Sequence, residues 1–137
     1  MNADLSRMGQ KLALAEERLT GSIVGSFFDV YNYYGFGLLE SAYAGALERD
    51  LIAKGHKVIR ELAVPVRYKG DIVAWQRLDM VVDDKVIVEL KATEKMPAPA
   101  ERQLLAYLKV SRFPVGLLLH FGMRPSFRRY VRKPDLR

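Results

Sequence analysis

Val86-Ile87-Val88-Glu89-Leu90-Lys91 is a β-branched, apolar run that carries a carboxylate and an amine near one end. Strand side chains alternate between faces, so Val86, Val88 and Leu90 share one face and Ile87, Glu89 and Lys91 the other. A run this apolar belongs in the middle of a sheet, where unpaired charge is costly. Two charges two residues apart then mark a site; on an edge strand they would be a surface ion pair. A second acid, Asp79, lies in the preceding strand-like run Arg77-Leu78-Asp79-Met80-Val81-Val82. Two acids and a lysine on adjacent strands suit a hard divalent cation such as Mg²⁺ or Mn²⁺ held by carboxylate oxygens. Such an ion lowers the pKa of a bound water and steadies charge on a phosphoryl oxygen. Lys91 is placed to orient that water or to stabilise the transition state.

The register of the hairpin tests this. A two-residue loop at Asp83-Asp84 would pair Val82 with Lys85 and turn Glu89 away from Asp79. A three-residue loop over Asp83, Asp84 and Lys85, or an equivalent bulge, pairs Val82 with Val86 and Asp79 with Glu89. The metal site therefore requires an odd loop.

The elements that position these residues are legible in hydrophobic period. Leu19, Ile23, Phe27, Tyr31 and Tyr34 form one face of an amphipathic helix that Gly35 and Gly37 end. A second helix runs from about Leu38 to Lys54, with Gly55 as its stop. The period then changes to two. Strands are expected over Val58–Tyr68, with Pro65 marking an edge or bulge, over Asp71–Val82, and over Lys85–Ala92. Met96-Pro97-Ala98-Pro99 introduces a helix over about Ala100–Lys109. Val115–Phe121 is a very apolar strand, and a short strand follows within Phe127–Val131. Helix, helix, three strands, helix, two strands is mixed α/β (α+β), a central mixed sheet flanked by helices.

The 137 residues fit one domain with a sizeable core, comprising a polar lead over residues 1–15 and a basic tail over 124–137. The absence of cysteine excludes disulfides, thiolate metal sites and cysteine nucleophiles, and fits a cytoplasmic protein. No stretch approaches a membrane span, and the first residues lack an apolar signal core. The net charge of +6 is concentrated at the end: Arg124, Arg128, Arg129, Arg132, Lys133 and Arg137 face Asp135 alone. A basic tail beside a nearly neutral body points to a polyanion, or serves only solubility. His56 and His120 lack paired metal spacing, and no serine sits in a nucleophile-elbow pattern. Trp75, Tyr68 and Tyr107 are of a type that stacks on bases, although aromatic residues in strands and helices are usually core. Tyr43 reads as a buried tyrosine with a satisfied hydroxyl.

Gly37-Leu38-Leu39-Glu40-Ser41-Ala42-Tyr43 resembles the motif that names the GxxExxY protein family. Arg77-Leu78-Asp79, Glu89-Leu90-Lys91, Gln103-Leu104-Leu105-Ala106-Tyr107-Leu108 and Pro114-Val115-Gly116-Leu117-Leu118-Leu119 resemble that family's later blocks, in order, over about Leu19 to Arg132. That family is similar to the PD-(D/E)XK nucleases, although Leu78 stands where the superfamily name has proline. The resemblance implies a core of helix, three strands, helix and strand, with Asp79 and Glu89 as metal ligands and Lys91 as the catalytic lysine. It implies Glu40 as an added acid from the first core helix, and Gln103 and Tyr107 as an element bordering the site. Glu40 has a plainer reading: with Gly37 as N-cap it would be the third helical residue, where a carboxylate suits the free amides.

These readings converge on a Mg²⁺- or Mn²⁺-dependent nuclease. Asp79 and Glu89 hold the ion with the Leu90 carbonyl, and Lys91 works on water. Glu40 supports a second ion or a ligand water, and Gln103 and Tyr107 flank the site. Arg124, Arg128, Arg129, Arg132 and Lys133 draw in DNA or RNA. The alternative is a nucleic-acid-binding module or partner subunit that keeps the fold without catalysis. A domain of this size suits a homodimer or a larger complex.

Overall fold

The structure is a computed structural model that describes the backbone of residues 3–133 and the side chains of Arg7 and residues 16–133. The element order is α1 (Ala3–Tyr34), α2 (Glu40–Ala53), β1 (Val58–Tyr68), β2 (Asp71–Val82), β3 (Val86–Lys91), α3 (Ala100–Val110), β4 (Val115–Phe121) and β5 (Pro125–Val131). The strands form one sheet in the order β1-β2-β3-β4-β5. Every neighbouring pair is antiparallel except β3 and β4, which run parallel because α3 crosses between them. The sheet is thus mixed and flanked by helices, as the hydrophobic periods imply.

β3 is the third of five strands, and all of it but Lys91 is buried. Its two faces feed two separate cores. Val86, Val88 and Leu90 pack with Ile23, Phe27, Tyr43 and Leu47 of α1 and α2. Ile87 packs with Leu104, Tyr107 and Leu108 of α3. A Cβ at Gly116 would stand 2.9 Å from the Leu104 side chain, so glycine is what lets α3 close on β4.

Two helix boundaries differ from those read in the sequence. α1 begins at Ala3, well before Leu19; the firm apolar spacing starts at Leu19, and the helical backbone starts earlier. α2 begins at Glu40 with Leu39 as N-cap, so Gly37 lies in the preceding loop and Glu40 is the first helical residue. Residues 134–137 of the basic tail, including Asp135 and Arg137, lie outside the described residues, as do Met1 and Asn2 of the polar lead.

One irregularity shapes the end of the sheet. Glu61, inside β1, has φ 54°, a left-handed conformation uncommon for a residue with a Cβ. Arg60 pairs with Met80 and Leu62 with Leu78 on either side of it, so no residue is inserted there. The ribbon nevertheless changes faces at this level. Met80 and Val82 belong to the α1/α2 core, whereas Leu78 belongs to the α3 core despite its even number. Strict alternation therefore breaks at Asp79, the residue opposite Glu61.

Candidate active site

The β2–β3 turn occupies Asp83, Asp84 and Lys85. Asp83 and Asp84 take φ of 52° and 55°, and the Lys85 N–H donates to the Val82 carbonyl at 3.1 Å. Val82 pairs with Val86, Val81 with Ile87 and Met80 with Val88. This is the odd register that the metal site requires. One step further places Asp79 opposite Glu89, and there the ladder ends, so the two strands part at the acids.

Glu89 is 2% exposed, and its Oε1 is buried without a hydrogen-bond partner. Asp50 Oδ2, also without a hydrogen bond, at least has the Lys54 ammonium at 3.4 Å. Burial pushes the Glu89 carboxyl up to about 8; the Asp79 charge adds to this and Lys91 opposes it. Tyr107, on the facing turn of α3, is pushed up to about 12 by burial and by the charges of Glu89 and Asp79. Glu89, Asp79, Lys91 and Tyr107 therefore form one electrostatic neighbourhood. Among the described residues, no ion pair within 4 Å takes up Glu40, Asp79, Glu89 or Lys91. Nor do any three His, Asp or Glu side chains among them stand grouped as a ready-made metal site.

Glu40 approaches from the other side of the sheet. Burial and the Asp79 charge raise its pKa, again against Lys91, while part of its side chain stays in solvent. Its position depends on the loop before it. Gly35, at φ 70°, ends α1, and its N–H donates to the Tyr31 carbonyl at 2.7 Å. The fully buried Tyr43 hydroxyl donates to the Gly35 carbonyl and accepts from the Leu38 N–H at 3.2 Å. Gly35 and Tyr43 thus set the place of Glu40: the hydroxyl folds the loop that delivers Glu40 at the start of α2.

A cleft of about 130 Å³ opens where β2 and β3 part, lined by Glu40, Ala44, Arg60, Glu61, Asp79 and Leu90 among others. Arg60 and Glu61 were not indicated by the sequence. The two-residue turn at Lys69-Gly70 sets Tyr68 opposite Asp71, a register that would place Glu61 against Leu78. A shift between Val66 and Arg67 moves it opposite Asp79.

The remaining candidates are more scattered. Gln103 is exposed, one turn before the buried Tyr107 on α3. Arg124 lies exposed in the β4–β5 turn, and Arg132 and Lys133 are exposed beyond β5. Arg128 and Arg129 do not share a surface. Arg128 pairs with Glu101 of α3 at 3.0 Å, while Arg129 lines a groove with Thr20 and Val24 of α1. His120 is buried, with its Nε2 2.7 Å from the Thr93 carbonyl. Trp75 and Tyr68 are each 63% exposed, against the expectation of core aromatics, because β2 continues well past β3 and, among the described residues, its far half is left largely uncovered.

A second polar constellation escaped the sequence. Ser22 Oγ lies 2.7 Å from His56 Nε2, and His56 Nδ1 lies 2.7 Å from Asp83 Oδ2. The three residues are far apart in the chain and carry no local motif; the pairing of β1 with β2 brings His56 to Asp83, and the placement of α1 adds Ser22.

A model of the PD-(D/E)XK nuclease superfamily matches residues 17–133. Among solved structures, the crystal structure of SSO0001 is similar, with a TM-score of 0.52 at 18% identity over 70% of this chain, a likeness of fold. The alignment takes in 52% of that structure, so the chain spans about half its length. No curated protein matches.

Proposed function

The chain belongs to the PD-(D/E)XK nuclease superfamily, and from that premise we propose that it hydrolyses phosphodiester bonds in DNA or RNA with Mg²⁺ or Mn²⁺ held by Asp79 and Glu89. The observation that carries this reading is the buried, unpartnered Oε1 of Glu89 beside Asp79. A carboxylate so placed is costly to ionise unless a cation meets it. The donor set is all oxygen, which fits a hard divalent ion. Bound there, the ion would lower the pKa of a water and steady charge on a phosphoryl oxygen.

The chain's own residues divide the remaining work. Asp79 and Glu89 ligate from two strands, and the Leu90 carbonyl is a third donor from the cleft wall. Lys91, two residues beyond Glu89 on its face, orients the attacking water or stabilises the transition state. Glu40 accepts from a ligand water across the cleft. Tyr107, with its pKa raised to about 12, stays protonated at any working pH and is a hydrogen-bond donor. Gln103, one turn away, meets a phosphate. Arg124, Arg128, Arg129, Arg132 and Lys133 supply attraction to the polyanion from two faces.

The ordered blocks from Gly37 to Leu119 support placing the chain among the GxxExxY proteins. A single domain over residues 1–137, a cytoplasmic setting, and work as a homodimer or in a larger complex complete the reading. Among the described residues, no helix is long and apolar enough to cross a membrane. The competing reading, a binding module without catalysis, draws on one observation: among the described residues, no three acids are grouped as placed. The test is cleavage of labelled single- and double-stranded DNA and RNA with Mg²⁺ or Mn²⁺, comparing the wild type with Asp79→Ala and Lys91→Ala. Cleavage lost in both variants with folding intact supports the nuclease. Metal-independent binding without cleavage supports the module.

A further inference from the structure

β1 and β2 form a ribbon that outruns the sheet. β3 pairs only with Met80–Val82, so among the described residues most of the β1–β2 ribbon has no third strand beside it. The free part is unlike a solvated hairpin. Tyr68, Val73 and Trp75 are 63%, 61% and 63% exposed. Between Pro65 and Arg77 stand three basic residues, Arg67, Lys69 and Arg77, against Asp71. The Lys69 ammonium lies over the Tyr68 ring, 5.3 Å from its centroid.

Trp75 pairs with Pro65 and Arg77 with Ala63. Paired residues share a face, so the indole and guanidinium project together with only small residues opposite. Trp75, Arg77 and Asp79 are alternate residues of β2. The row of Trp75 and Arg77 leads toward Asp79, where alternation breaks and the cleft opens, with Trp75 roughly 13 Å from Asp79 along the strand.

A second copy of the chain would use this edge by strand addition. Pro65, the register shift between Val66 and Arg67, and the left-handed Glu61 all blunt β1 against such pairing. Exposed aromatic faces interleaved with unpaired basic groups are instead the composition that grips an unpaired nucleic-acid strand, bases on rings and phosphates on cations.

We propose that the β1–β2 ribbon, through Trp75 and Arg77 on one row and Tyr68 and Lys69 at its tip, binds a single-stranded segment of nucleic acid and leads it to the cleft at Asp79. This rests on the nuclease reading for the kind of substrate, yet its test does not need cleavage. Trp75 is the only tryptophan, so its fluorescence reports on the ribbon alone. A short oligothymidylate added to the full chain in EDTA is expected to quench it. Labelled-oligonucleotide anisotropy should show binding weakened about tenfold by Trp75→Ala. Trp75→Phe, which keeps a ring, should retain most of the affinity. Arg77→Ala should weaken binding and flatten the salt dependence.

Absence of quenching overturns the proposal. So does equal quenching by a duplex of the same length, or a dimer in sedimentation that Trp75→Ala dissociates. Cleavage without quenching would remove the ribbon's role and leave the nuclease standing. Quenching without cleavage in Mg²⁺ or Mn²⁺ would keep the ribbon and remove the nuclease.

Discussion

Two polar constellations grow from the β2–β3 hairpin, one at each end of β3, and they differ in how far their bonding capacity is used. At the turn, Ser22, His56 and Asp83 have the order and spacing of a serine-hydrolase triad. Everything in it is satisfied: Asp83 Oδ1 also accepts from the Lys57 N–H at 2.8 Å, and the Asp83 N–H donates to the Lys57 carbonyl at 2.8 Å. Ser22 lies in the middle of α1, where neighbouring N–H groups are spent on helical bonds and do not serve a developing oxyanion. This chain of hydrogen bonds fastens α1 and the α2–β1 loop to the hairpin. At the other end, Glu89 is buried with an oxygen unpartnered, beside a like charge and a lysine outside any ion pair among the described residues. The familiar pattern is the scaffold, and the costly one is the candidate site. An unsatisfied ionisable group held in place by a folded core distinguishes the two.

The sharpest way to break this comparison is by activity. Asp79→Ala or Lys91→Ala should lower cleavage by about 10³-fold with folding intact, whereas Ser22→Ala should change it less than about twofold. The opposite ranking, in a steady-state cleavage assay, would exchange the roles of the two constellations.

Stability against pH gives the next largest effect. The Glu89 pKa is raised on folding, to about 8. Its contribution is therefore fully present below the ordinary carboxylate range and is lost as pH rises toward 8. Glu89→Gln should remove that loss and raise Tm at pH 8.5 in EDTA by roughly 3 °C or more, with little change at pH 4. An equal shift at both pH values would show that Glu89 ionises freely. Metal should act on the same proton. Mg²⁺ or Mn²⁺ binding is expected to tighten as pH rises toward 8 and to release about one proton near pH 7. Calorimetry in buffers of different ionisation enthalpy reads that release, and a proton-neutral titration would count against Glu89 as a ligand.

Smaller effects sharpen the contrast. Tyr43→Phe leaves the Gly35 carbonyl and Leu38 N–H without their partner. It should cost about 1–2 kcal/mol in denaturant unfolding and lower cleavage through Glu40. Stability lost with cleavage unchanged would detach Glu40 from the chemistry. Ser22→Ala should cost about 1 kcal/mol, the value of one partly buried hydrogen bond, and nothing further.

Much of the fold was legible in the sequence. β1, β2 and β4 run between the residues expected, because alternating or continuous apolar runs record burial directly. The central place of β3 followed from its lack of a solvent-compatible face. The start of α1 was missed because the firm apolar spacing begins only at Leu19, whereas the helical backbone begins at Ala3. Trp75 was expected in the core, because a strand's aromatics are usually covered; nothing in the local sequence says that β3 stops short of it. Glu61 could not be found, since its approach to Asp79 depends on a register shift beyond Val66, further along β1, and on a backbone turn that glutamate rarely adopts.

The sequence by itself determined which residues carry charge into an apolar strand, and it reduced the candidate site to a choice between an odd and an even hairpin loop. Residue type and period are local properties, and burial imposes them position by position. Tertiary structure alone decided that the loop is odd, that β2 and β3 part at Asp79 and Glu89, and that Tyr43 folds the loop that delivers Glu40. It also decided that Ser22, His56 and Asp83 are bound to one another. Those outcomes depend on the register and packing of segments distant in the chain, whose energies no single stretch contains.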